Sequence, residues 1–408
     1  MTEIIFCNAL VLDPVGGELL ADRCVRVAQG RVREISEQRL KSAEAQIFDL
    51  RGKVLMPGLC DGHVHVTAVS PNFAGLTRLS PSYVAARASE IMRGMLMRGF
   101  TTVRDAGGAD HGLARAVEEG IFVGPRILFS GHALSQTGGH GDMRAAGENA
   151  FEGCFCRAGL GRICDGVAEI QRACREEIRK GATQIKLMVS GGIASPTDRI
   201  GSTQFSLEEI TAAVQEAEAA EIHVMAHAYT ARAVNRAISR GVRSIEHGNL
   251  MDEESAALFL KHGAFLVPTL STYHTLARGG IEAGMPAALH ANIFDVLDAG
   301  AKALELAHRR GVKMVYGTDL LGSLHQHQLL EFAIRSEVQK PIDIIRAATC
   351  NAAELFNRVG EIGIVAPGAR ADLLIIDGNP LDDIGLMQDP NRNFKAIVKG
   401  GVFYKNEL

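Results

Sequence analysis

The stretch VLMPGLCDGHVHV (residues 54–66) decides how this chain is read. Val54 to Cys60 is apolar enough for a strand buried on both faces, yet the run ends on an acid and two histidines one residue apart. Residues i and i+2 of a strand project to one side, so His63 and His65 aim both imidazoles at one point beyond Asp61. A lone histidine there is more often a bonded core residue. A pair at this spacing reads as two ligands for one metal ion.

Similar runs recur along the chain. VLMPGLCDGHVHV is followed by TTVRDAG (101–107), RILFSG (126–131), QIKLMVSG (184–191), HVMAHA (223–228), SIEHG (244–248), FLVPTL (265–270) and KMVYGTDL (313–320). Amphipathic segments of helical length lie between them, such as SLEEITAAVQEAEAA (206–220) and DEESAALFLKHG (252–263), both with acids in the first turn where the helix dipole favours them. Strands alternating with helices predict a parallel sheet of βα units, and eight of them predict a (β/α)8 TIM barrel over residues 58–363. The flanks show short strand periods and turn signals instead. Neither is long enough for its own core, so residues 1–57 and 364–408 are expected to meet as one small β-sandwich domain.

Composition excludes several function classes. The chain has 408 residues, 47% hydrophobic and 22% charged, with 43 basic against 47 acidic side chains and a net charge of −4. That balance asks for neither nucleic acid nor an anionic membrane. The N-terminus carries Glu3 and no basic n-region, and no apolar stretch approaches the ~20 residues needed to span a bilayer. A cytoplasmic protein with a small-molecule substrate is expected. The eight cysteines are scattered, and the densest group (Cys154, Cys156, Cys164, Cys174) lacks zinc-site spacing, so reduced thiols without a role are expected.

Polar residues gather where such a barrel builds its active site, at the C-terminal ends of the strands. In QIKLMVSG, Ile185, Leu187 and Val189 share one face and leave Lys186 on the interior face, where a bare ammonium is costly to desolvate. His227, His247 and Asp319 end the fifth, sixth and eighth runs and are ligand types for zinc and its neighbours. Each alone could be a turn or capping residue. Six such groups on five strand ends are hard to explain that way. By strand alternation Glu246, Tyr316 and Thr318 should point away from the interior, His223 should be a satisfied core histidine, and Asp105 and His132 could brace the ligands from behind. Arg199, His274 and His325 lie in loops after strands and receive no role.

PGLCDGHVH (57–65), QIKLM (184–188), MAHAY (225–229), SIEHG (244–248) and YGTD (316–319) together resemble the amidohydrolase superfamily with a binuclear metal centre, and PGARADLLIID (367–377) extends the likeness to the C-terminal flank. The resemblance implies that His63 and His65 bind one ion, that Lys186 is N6-carboxylated and bridges two ions, that His227 and His247 bind the second, and that Asp319 touches the first. SQTGGHGD (135–142), SGGIASPTD (190–198) and the Tyr after AHA are similar to the prolidase-like and Xaa-Arg dipeptidase-like enzymes related to imidazolonepropionase. In such enzymes two divalent ions acidify a bridging water and polarise the scissile carbonyl. Asp319 would move the proton, and His140 would steady the carbonyl oxygen. Tyr229, with backbone N–H groups of Gly191 to Ser195, would hold the substrate carboxylate.

The implied activity is cleavage of dipeptides or N-acyl amino acids of the Xaa-Pro or Xaa-hydrophobic type. Opening of a cyclic amide of the imidazolonepropionase kind, or a metal-free binding homologue, are the alternatives. Zinc is the expected metal, although Mn, Co and Fe accept the same ligands, and a homo-oligomer is expected from the resemblance.

Overall fold

The structure is a computed structural model that describes residues 3–148 and 158–408. Cys154 and Cys156 fall outside the described residues.

Five strands open the chain: β1 (Ile4–Asp13), β2 (Glu18–Ala28), β3 (Arg31–Ser36), β4 (Gln46–Asp49) and β5 (Val54–Pro57). The parallel strands follow as β6 (Leu59–Val64), β7 (Phe100–Asp105), β8 (Arg126–Phe129), β9 (Ala133–Ser135), β10 (Gly161–Ile163), β11 (Gln184–Met188), β12 (His223–Thr230), β13 (Ser244–Leu250) and β14 (Phe265–Val267). The chain ends with β15 (Leu373–Ile376), β16 (Phe394–Lys399) and β17 (Val402–Asn406). Among the described residues no helix is long and apolar enough to cross a membrane.

Both ends of the chain share one sandwich-like sheet, ordered β17-β16-β15-β5-β1-β2-β3 with β4 beside β1. The join is the antiparallel pairing of β15 with β5, Leu374 opposite Met56 and Ile375 opposite Leu55. The run at 54–66, read as one stretch in the sequence, is two strands that divide where the boundary between residues 57 and 58 was expected. β5 belongs to this sheet, Gly58 turns the chain, and β6 starts the parallel layer.

The parallel strands fall into a three-stranded sheet β6-β7-β8 and a six-stranded sheet β10-β9-β11-β12-β13-β14. Thr183 N donates to Phe129 O at 2.9 Å between β8 and β11. The eighth run forms only a bridge, Met314 to Leu266, but its backbone is bonded on both sides: Val315 N to Leu266 O at 3.0 Å, and Gly62 N to Tyr316 O at 2.6 Å. Gly62 is needed at that contact, because a Cβ there would stand 2.7 Å from Val315 Cγ1 and 3.0 Å from Tyr316 O.

The helices between strands form as their sequences suggest. Ser206 and Glu209 make a reciprocal capping box at the start of Leu207–Ala219, and Asp252 with Ser255 does the same for Glu253–His262, which ends on left-handed Gly263. Their apolar faces bury Ile210, Val214 and Phe259 against Ile185, Leu187, Val189, Val224 and Ile245. Burying such side chains contributes about 1.5–3 kcal/mol each. This packing turns the alternate row, Lys186 and Met188, towards the interior.

Candidate metal centre

His63, His65 and Asp319 come together as expected, their ligating atoms all within 4.8 Å of one another. Asp319 Oδ1 lies 3.4 Å from His63 Nε2 and 3.4 Å from His65 Nε2. Lys186, His227 and His247 face the same cavity, of about 460 Å³, which reaches the surface beside exposed Ala74 and Arg78. The rings of His63 and His247 are 5.1 Å apart and those of His227 and His247 4.7 Å. Six nitrogen- or oxygen-bearing groups thus converge at one end of the parallel strands. This donor set fits divalent metal ions of the zinc type.

Protein acceptors determine which ring nitrogen each histidine offers. His63 Nδ1 lies 2.7 Å from Glu246 Oε2, His65 Nδ1 2.8 Å from Gly107 O, and His247 Nδ1 2.7 Å from Thr269 Oγ1. All three present Nε2 to the cavity. His227 is reversed: its Nε2 meets Gly191 O at 3.2 Å, which leaves Nδ1 available.

The electrostatics suit metal binding. Burial pushes the Lys186 ammonium down to about 8, so a neutral amine is accessible near neutral pH. Burial alone would raise the Asp319 carboxyl, but His63, His65 and Lys186 hold it at about 2, in its ligating form. Burial also drives His227 and His247 well below the usual histidine range, and neutral imidazole is the form that binds metal. Burial and Lys186 oppose protonation of His63, yet Asp319 and Glu246 outweigh them and raise it.

Glu246 corrects the expectation. It points inward, fully buried, and its Oε1 accepts from Arg104 Nη2 at 2.9 Å and from Ser244 Oγ at 2.6 Å. Ser244 and Glu246 form the inward row of β13, with Ile245 facing the helices. His247 joins that row because its backbone adopts φ +75°, which breaks the alternation. Thr269 and Asp319, at φ +48° and +50°, make similar turns at neighbouring strand ends. Three non-glycine residues in the left-handed region around one cavity is strain of the sort that collects at functional sites.

Arg104 went unnoticed in the sequence. Besides Glu246 it donates to Gly62 O at 2.7 Å and Ser244 Oγ at 3.0 Å, and its Nη1 lies 3.4 Å from His223 Nε2. These groups form a polar floor beneath the ligands. His223 is buried as expected, but its Nδ1 has no partner among the described residues. The signal for Arg104 was an arginine within a strand of the parallel layer, FTTVRD, which is buried along its whole length, so its cation demands a buried counter-charge.

The remaining expectations divide. Asp105 accepts from Val66, Gly107 and Ala109 N–H groups and so fixes the loop whose Gly107 carbonyl holds His65, a candidate ligand. His132 lines the cavity and meets Glu177 Oε1 at 3.4 Å. Thr318 is not turned away from the site's support: its hydroxyl donates to Asp61 at 2.7 Å, and Asp61 in turn accepts from His63 N. Tyr316 packs in the core against Phe100 and Phe332. Arg199 is exposed and His274 half-buried, while His325 is buried.

His140 stacks on His227 at 4.3 Å between centroids, and its Nδ1 lies 2.9 Å from Ser195 Oγ and 3.5 Å from Asp198 Oδ2. Gly192 makes room for this ring, since a Cβ there would overlap it. Tyr229 stands over His227 and His247, and its hydroxyl accepts from Tyr273 at 3.1 Å. Gly191 N–H is spent on Ser202 O, so it is not free for a substrate anion.

The Amidohydrolase family profile matches residues 54–403. Among solved structures, one described as a prolidase complexed with N-methylphosphonate-L-proline is 48% identical, with TM-score 0.97 over 99% of this chain and 100% of that one. A Xaa-Pro dipeptidase with methionine bound in its active site is 28% identical, with TM-score 0.89 over 99% and 100% of the two chains. The ochratoxinase of Aspergillus niger is 32% identical over 98% of this chain and 86% of its own length. By the span of that profile and these near full-length likenesses, the chain belongs to the amidohydrolase family.

Proposed function

We propose that the protein is a binuclear metal-dependent hydrolase that cleaves the amide bond of dipeptides or N-acyl amino acids of the Xaa-Pro or Xaa-hydrophobic type. The observation carrying this reading is the convergence of His63, His65, Lys186, His227, His247 and Asp319 on one cavity. Similarity to the prolidase and the Xaa-Pro dipeptidase supports the substrate class. The same reading takes the two parallel sheets as one (β/α)8 barrel over residues 58–363, supported by the backbone bonds at both seams. Residues 1–57 and 364–408 form the sandwich domain, and the enzyme is a homo-oligomer.

His63, His65 and Asp319 would hold one ion and His227 and His247 the other, with Lys186 carboxylated at Nζ between them. When bound, such a pair supplies Lewis acidity, acidifying a water and polarising a carbonyl. The chain's own groups do the rest. Asp319, ionised at about 2, accepts a proton at its carboxylate and returns it to the leaving nitrogen. His140, oriented through Nδ1 by Ser195 and Asp198, faces the carbonyl oxygen with Nε2. Burial keeps the Tyr229 phenol protonated, and because its oxygen accepts from Tyr273 the O–H is left to donate to the substrate carboxylate.

The test is metal analysis of purified protein, paired with turnover of a panel of Xaa-Pro dipeptides, N-acyl amino acids and imidazolonepropionate. About two equivalents of divalent ion with dipeptide or N-acyl hydrolysis is the expected result. Ring opening without amide hydrolysis would select the cyclic amidohydrolase instead.

A further inference from the structure

Two cysteines that the centre does not use lie against each other in the sandwich-like sheet. β1 and β2 pair with Ile4 opposite Val27, Ile5 opposite Arg26 and Phe6 opposite Val25, and the register shifts between Phe6 and Ala9, where Cys7 and Cys24 are the next residues on the two strands. Their sulfurs are 3.0 Å apart, closer than two thiols in ordinary van der Waals contact. Both are buried, in a small cluster with Ile5 that Leu40 and Ala45 cover from the irregular stretch between β3 and β4.

We propose that Cys7 and Cys24 are a modification site: a dithiol that closes to a cross-strand disulfide in the presence of a disulfide oxidant such as glutathione disulfide. The thiolate of one cysteine attacks the oxidant's S–S bond, releasing one glutathione thiolate and leaving a mixed disulfide. The second cysteine then attacks that bond at the protein sulfur. The Cys7–Cys24 bond forms, a second glutathione leaves, and two electrons and two protons have passed from the pair to the oxidant. Burial and the neighbouring Cys24 push the Cys7 thiol up to about 12, so the folded pair reacts slowly. Closure is expected when the cover carrying Leu40 and Ala45 opens, or during folding. The bond ties two strands that lie apart from the metal-ligand cluster, so it changes durability and not turnover.

The test uses the full-length, metal-loaded protein, equilibrated with graded ratios of oxidised to reduced glutathione, alkylated in denaturant and digested with trypsin without reductant. Cleavage after Arg23 separates the two cysteines, so the expected product is a linked pair, Cys7 in one peptide and Cys24 in the other, lighter by two hydrogens than the free peptides. The oxidised protein should melt about 5 °C higher with kcat unchanged. Cys7→Ser and Cys24→Ser should each abolish the linked pair, and the double change to Ala, which keeps the site apolar, should abolish the melting shift. Alkylation of both cysteines at every ratio overturns the proposal. So does glutathione retained on either one without a link, or linkage to a different cysteine.

Discussion

His63 Nδ1 and Glu246 Oε2 lie 2.7 Å apart, and the other oxygen of the same carboxylate holds Arg104. One buried acid therefore binds a candidate metal ligand to a buried cation. Burial alone would raise Glu246, but Arg104, His63 and Lys186 keep it near 2, so it stays charged and orients the ring.

Glu246→Gln keeps the shape of this bridge and removes its charge. Breaking one partner of a buried pair costs about 3–5 kcal/mol, and losing the brace behind a metal ligand weakens metal binding about 10–100-fold. Denaturation and chelator competition measure the two effects. Combining it with Arg104→Met should recover part of the stability and none of the metal affinity. Recovery of both would show that the pair is only structural.

Lys186→Ala should lower metal content and activity together, because it would remove the ligand proposed to be shared. Asp319→Asn should retain most of the metal while kcat falls about 10²–10⁴-fold, the range for a lost proton-transfer group. Metal analysis beside steady-state kinetics separates them, and equal metal loss in both variants would contradict the division of roles.

Gly192→Ala places a methyl group where the His140 ring now lies. Removing a donor to a developing oxyanion costs about 10²–10³ in kcat, so a displaced His140 should cost at least about tenfold with metal content unchanged. An unaltered kcat would take His140 out of the reaction.

Tyr229→Phe should raise KM for substrates with a free carboxylate by about 10–100-fold, the worth of one hydrogen bond to a charged group. For the matching C-terminal amides KM should barely move. An equal effect on acids and amides would show that Tyr229 packs the site and does not read the carboxylate.

Glu331 gives stability a pH dependence. It is fully buried, accepts from Ser271 N at 2.7 Å, and burial raises its carboxyl from 4.5 to about 7. Between these values the folded state holds a proton that the unfolded chain has lost, so this group's contribution is full below pH 4.5 and is lost as pH rises through 7. The total is on the order of 3 kcal/mol. Urea midpoints across that window should fall for the wild type, and in Glu331→Gln this part of the slope should vanish. Parallel profiles would refute the assignment.

The sequence made most of the candidate ligand set legible, because strand periodicity forces side chains to one face. The i, i+2 spacing placed His63 and His65, and the apolar row Ile185, Leu187, Val189 turned Lys186 inward. It misled at SIEHG. Alternation allows only one of Glu246 and His247 to face inward, whereas a left-handed residue at His247 brings both there, and nothing in local propensity announces φ +75° at a histidine. An apolar run does not show where one strand stops, so β5 and β6 read as one stretch even though the boundary expected at 57/58 falls between them. Arg104 was overlooked because its charged partner, Glu246, lies 142 residues along the chain, a separation that only the fold closes.

The floor made by Arg104, Ser244 and Glu246 also governs traffic. With those groups fully buried beneath the ligands, a substrate that enters past Ala74 and Arg78 has no exit below it. Among the described residues, and on the proposed reading, both halves of a cleaved molecule would therefore leave on the side by which the whole one came, one after the other. The half still bound through its carboxylate would then block the next arrival, making the carboxylate-bearing product a competitive inhibitor.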